Sequence, residues 1–78
     1  MKKLRKVHQE KIGNLRMFLK NYKEDTLVIR TTYVEGGWHG VEFDARKTGF
    51  SVKRDWLTAE ELATVPGTFS EVYVFTRK

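Results

Sequence analysis

Lysine and arginine recur through the first third of this chain at spacings that suit a row of phosphates. Drawn as a helix at about 100° per residue, Lys2, Arg5, Lys6, Arg16, Lys20 and Lys23 gather opposite an apolar stripe. Phosphate contacts from such side chains supply most of the sequence-independent affinity of nucleic-acid binders. The plain alternative is a solvated helix face that binds nothing. Docking on an anionic membrane is the weaker reading, because the amphipathic segment carries no tryptophan.

A second group of residues with chemical potential is Gly36-Gly37-Trp38-His39-Gly40. An exposed indole beside an imidazole can stack on a nucleobase, whereas tryptophan more commonly folds over the end of a sheet. With Glu35, Glu42 or Arg54 nearby, His39 has the residue types for proton transfer at a phosphodiester, as in a metal-independent ribonuclease toxin. Lone loop histidines are usually not catalytic, so no enzyme is expected. Arg46-Lys47, at another loop tip, would help to position a nucleic acid.

Metal and nucleotide chemistry find no support in the residue types. The chain has two histidines and no cysteine, so a metal site would need carboxylates at spacings that are not seen. His8 lies near the apolar stripe, where a partly buried imidazole with one hydrogen bond is the ordinary outcome. The glycines form no phosphate-cradling motif. No metal and no cofactor are expected.

The elements that would position these residues follow from periodicity. Leu4, Val7, Ile12, Leu15, Phe18, Leu19 and Tyr22 step by threes and fours and predict one amphipathic helix over 2–23, with Gly13-Asn14 as the place where it could break. Leu27 to Val34 alternate as a first strand. The glycine-rich loop then leads into a second strand carrying Val41, Phe43 and Ala45. A turn at Arg46-Lys47-Thr48-Gly49 opens a third strand, pairing Ala45 with Phe50, Phe43 with Val52 and Glu42 with Lys53. Thr58 and Glu61 form a capping box for a short helix, stapled by Leu57 onto Leu62 and stopped by Val65-Pro66-Gly67. Phe69 to Thr76 close the chain as a strand apolar enough on both sides to be interior or to use its second face.

The expected fold is therefore a single α+β domain over 1–78, in the order α-β-β-β-short α-β. Its N-terminal amphipathic helix packs on a four-stranded antiparallel sheet. The other sheet face would be partly open, presenting Tyr73 and Phe75 with Tyr33 or Arg30. An opening helix followed by three antiparallel strands is reminiscent of double-stranded-RNA-binding domains. The fourth strand and the basic residues on the first helix depart from that pattern, so no family is assigned.

Composition bounds the function. Seventy-eight residues with 40% hydrophobic content close one modest core, and 13% aromatic residues make it feasible without disulfides. The net charge of +5 belongs to the segment up to Lys23, where eight basic residues face Glu10 alone. With no membrane-length apolar run and no signal-peptide pattern, a cytoplasmic protein is expected. The leading expectation is a small non-catalytic protein that binds RNA or DNA through its basic first helix, assisted by Trp38, Arg46 and Lys47. The alternative is an inhibitor or adaptor of the kind phages and mobile elements encode, docking on a host protein of a nucleic-acid-processing machine. Either could form a homodimer through the open sheet face or an edge.

Overall fold

Gly13-Asn14 decides where the first helix begins. The structure, a computed structural model, describes residues 4–78. Asn14 has an extended backbone, and its side chain accepts a hydrogen bond from Met17 N at 3.1 Å. That is the N-cap arrangement, which satisfies an otherwise unpaired amide of the first turn. Helix α1 is therefore Leu15–Asn21 alone, with Leu15 and Leu19 buried one turn apart.

Val7–His8 and Ile12 are extended, which corrects the expected helix over 2–23. Val7–His8 form strand β1, and Ile12 bridges in parallel to Val34 while donating its N–H to Tyr33 O at 2.6 Å. Val7 and Ile12 are β-branched and favour extended backbone, and a helix running through Gly13 would lose about 1 kcal/mol there. The continuous basic ridge does not form. Lys2 lies outside the described residues.

Strand β2, Thr26–Arg30, is buried from Leu27 onward, and the chain then tightens into a 3-10 turn at Thr31–Tyr33 instead of continuing as strand to Val34. The predicted hairpin and second strand are also corrected. Trp38–Lys47 are helix α2, with Val41 and Ala45 buried one turn apart and Phe43 turned to solvent. Thr48 Oγ1 donates to the carbonyls at this helix end, and Gly49, at φ +84°, reverses the chain as a left-handed residue should. The pairings of Ala45, Phe43 and Glu42 with the next strand are consequently absent.

The C-terminal half follows its pattern. Strand β3 is Phe50–Trp56, helix α3 is Ala59–Leu62, and strand β4 is Glu71–Arg77. The Thr58–Glu61 capping box is closed in both directions, at 3.0 and 3.1 Å. Leu57 and Leu62 share one apolar cluster.

The sheet order is β1-β2-β4-β3. Strands β1 and β2 are parallel, and β4 runs antiparallel between β2 and β3, so the sheet is mixed and not wholly antiparallel. Both β1-α1-β2 and β2-α2-β3 are crossover units, the second leaving a gap that β4 fills. Leu27, Ile29, Tyr73 and Phe75 face Leu15, Leu19, Val41 and Ala45 in the main core. Val28, Val72 and Val74 face the other way and meet Leu57, Leu62 and Val65. The face bearing Tyr73 and Phe75, expected to be open, is thus the one the helices cover. The region around α3 and the Arg5 side chain cover part of the reverse face.

Arg5 ties that segment down. Its backbone N–H and Nε donate to Glu61 Oε2 at 2.9 and 2.8 Å, and Nη2 donates to Glu61 Oε1 at 2.8 Å. Nη1 reaches Asp55 Oδ2 at 2.8 Å and Nη2 reaches Trp56 O at 2.9 Å. Arg5 precedes one edge strand and so grips the opposite edge. Glu61 is 3% exposed, and the guanidinium holds its carboxyl well below the usual carboxylate range despite burial.

Arg30 is the second buried charge, 4% exposed. Its Nη1 donates to Pro66 O, where Gly67 at φ +80° leaves room for the close approach. Nε and Nη2 have no partner among the described residues.

Two outcomes are expected. Arg5→Ala should lower the unfolding free energy at neutral pH by roughly 2–3 kcal/mol, somewhat less than a fully buried pair because the guanidinium is partly exposed. The Glu61 contribution is complete above its unfolded pKa of about 4.3 and is lost as the pH falls toward its depressed folded value. Urea unfolding at neutral and acid pH should therefore show the gap between wild type and variant narrowing with acid; a constant gap would remove Glu61 as the linked group. Arg30→Met should leave stability unchanged or raise it by up to about 2 kcal/mol, because it removes a desolvated cation while keeping most of the volume. A loss above about 1 kcal/mol in the same assay would show that the Pro66 contact outweighs that desolvation.

Candidate nucleic-acid interface

The residues of the expected ridge part company in the fold. Arg5 is held by Glu61 and Asp55 beneath the sheet. Lys6 is exposed and borders a groove of about 640 Å³ together with Leu4, His8, Tyr22 and Glu24. Lys23 follows the end of α1 and is exposed. Only Arg16 and Lys20 remain one turn apart on a shared helix, where both are exposed.

What the fold brings together instead is Arg16 of α1 and the solvent face of α2. Arg16 Nε donates to Asp44 Oδ1 at 3.1 Å, which fixes the guanidinium over the Phe43 ring at 5.3 Å from its centroid. Lys47 Nζ lies at the same distance from that ring, one helical turn beyond Phe43. Phe43 is 51% exposed, and Met17 beside Arg16 is also exposed. Arg46 adds a further exposed cation, loosely paired with Glu42 at 3.5 Å. Lys20 and Lys47 have no ion-pair partner among the described residues. The result is a half-exposed aromatic ring set among cations from two helices.

Arg46 and Lys47 do not sit on a hairpin tip. They occupy the last turn of α2, where cations also complement the partial negative charge of the helix end. Trp38 begins the same helix and is half-buried. Its ring packs on Tyr73 at 5.7 Å, and the Arg54 guanidinium lies 5.6 Å above it. It folds over the sheet, the commoner of the two fates considered for it, and contributes little free surface for stacking.

His39 is exposed on the first turn of α2, one turn before Phe43. The three groups named as its helpers are engaged elsewhere: Glu35 with Lys11, Glu42 with Arg46, and Arg54 with Glu71 and Trp38. Among the described residues no hydrogen bond or ion pair joins His39 to an acid or base. His8 is half-buried, edge-on to Phe18 at 5.0 Å. In the groove beside it, burial and the neighbouring Glu24 carboxylate push the Tyr22 hydroxyl pKa upward. Among the described residues no cluster of His, Cys, Asp and Glu could hold a metal ion, and no helix is long and apolar enough to cross a membrane.

Phe43 is the site residue that alternation hid. Read with Val41 and Ala45 as a strand, it falls on the core face. The helical reading was available in the same letters, because Trp38, Val41 and Ala45 repeat at three and four residues while His39, Phe43 and Lys47 form a separate stripe. Comparison with protein-family models, curated protein sequences and solved structures finds no match, so the functional reading rests on these side chains.

Proposed function

We propose that this protein binds single-stranded nucleic acid on the joint face of α1 and α2. The observation that carries the reading is Phe43, half-exposed and approached at 5.3 Å by both Arg16 and Lys47. An unstacked base has a π-face for the phenyl ring, and the flanking cations supply phosphate contacts. A base stacking on Phe43 would displace one cation from the ring onto the adjoining phosphate, with Lys20 and Arg46 extending the track. Duplexes offer no splayed base, so single strands are preferred.

The competing reading is a protein-binding inhibitor or adaptor. It is favoured by a different feature, the outer edge of β3, and predicts capture of a protein with a shallower salt dependence than nucleic-acid binding.

The test is a fluorescence-anisotropy titration against labelled single-stranded RNA, single-stranded DNA and duplex DNA at low and near-physiological salt. Binding should weaken steeply with salt, and Lys20→Glu with Lys47→Glu should lower the salt slope by about one unit per lost phosphate contact. Phe43→Ala should weaken single-strand binding by about 1–3 kcal/mol while leaving the fold intact, since the ring is half in solvent. Absence of binding at low salt, or binding indifferent to these three substitutions, would sink the proposal.

A further inference from the structure

Strand β3 is an edge strand of seven residues, and its outer side is open in its middle, at Val52 and Arg54. Leu57 N donates to Ser70 O and Lys78 N donates to Gly49 O, which sets the phase of the antiparallel ladder with β4. Ser51, Lys53 and Asp55 therefore spend their backbone groups on β4, and those of Phe50, Val52, Arg54 and Trp56 point outward. The Trp56 end is closed, because its N–H donates to Asp55 Oδ1 and its carbonyl accepts from Arg5 Nη2. Phe50 is fully buried, so the outward backbone groups that an incoming chain can reach are those of Val52 and Arg54, which have no partner among the described residues.

Beside this open stretch lies a groove of about 130 Å³ between α2 and the strand, bordered by Glu42, Arg46, Phe50, Ser51, Val52 and Lys78. Lys53 and Arg54 flank it on opposite faces of the strand, both exposed, and the pairing of Arg54 with Glu71 is loose at 3.8 Å. The local surplus is cationic. Pairing with a second copy would place the Lys53 and Arg54 of both chains in one ladder, and like charges across a ladder are unfavourable. A strand carrying carboxylates meets the same residues with opposite charge.

We propose that the open edge of β3 accepts an extended acidic segment of a partner protein as a fifth strand, seated against α2. Backbone bonds to Val52 and Arg54 hold the segment, and Lys53 and Arg54 select its carboxylates. This surface is separate from the Arg16, Lys20 and Phe43 patch and does not depend on nucleic-acid binding there.

The experiment is a ¹H–¹⁵N NMR titration of the protein with a short synthetic peptide alternating glutamate with valine, and with its counterpart carrying lysine for glutamate. The acidic peptide should shift the amides of Val52 and Arg54, and the lysine peptide should bind at least about tenfold more weakly. Val52→Pro removes one outward N–H while sparing the β4 ladder, so the variant should stay folded and lose the response. Arg54→Glu should weaken binding by about tenfold or more, and it carries the test should Val52→Pro fail to fold. Lys20→Glu and Lys47→Glu should leave peptide binding unchanged, which separates this surface from the nucleic-acid patch. Shifts confined to the α1 and α2 face, equal binding of the two peptides, an unaltered response in both edge variants, or concentration-dependent self-pairing of β3 without peptide would each overturn the proposal.

Discussion

The buried Glu61 carboxylate is the contact on which the reverse side of the sheet depends. It closes the capping box of α3 through the Thr58 amide and receives three hydrogen bonds from Arg5. An ionised carboxylate at 3% exposure is tolerable only when its oxygens are saturated by donors. The same contact draws the chain ahead of β1 across the sheet to Asp55 and Trp56. A two-residue strand cannot hold an edge by its own ladder, so β1 relies on this anchor and on Val7 packing against Val28 and its neighbours. One ion pair thereby links the first strand, the shortest helix and the far edge.

Strand β4 supplies the complementary constraint. It arrives last in the chain yet lies between β2 and β3, burying Val72 through Phe75 on both faces. The two crossover units cannot close a continuous sheet until it inserts, because β2 and β3 lie on either side of it. Its apolar character on both faces is what a central strand needs, and that was readable in Val72-Tyr73-Val74-Phe75 directly. The start of β3 at Phe50, the Thr58–Glu61 box and the left-handed role of Gly49 were equally legible, since each depends on neighbours a few residues away.

The N-terminal half was harder to read for a physical reason. Apolar residues at three- and four-residue steps identify a helix only when one face is what they bury, and here Val7 and Ile12 are extended partners of Val28 and Val34. Their role is set by strands some twenty residues away, which local periodicity does not contain. The converse holds at Val41-Glu42-Phe43-Asp44-Ala45, where alternation and helical spacing overlap over so short a run that either fits. Burial decides between them: Val41 and Ala45 go inward, and Phe43 does not. The candidate site inherits this ambiguity, for Arg16, Lys20, Arg46 and Lys47 were identifiable as cations whereas the ring that Arg16 and Lys47 approach was assigned to the core.

Redistribution of charge by the fold also explains why the basic N-terminus is a poor guide to the binding face. Arg5 is spent on Glu61 and Asp55, Lys11 pairs with Glu35, and Arg16 is oriented by Asp44. The acidic residues that neutralise this segment lie in the later part of the chain, where they look unrelated in sequence. An ion pair that still leaves the cation half in solvent, as at Arg16, orients the side chain while allowing it to meet an incoming anion. A pair that buries its carboxylate, as at Glu61, withdraws its cation from any such role. Exposure after pairing, and not the count of lysines and arginines along the sequence, is therefore what makes the α1 and α2 face the stronger candidate.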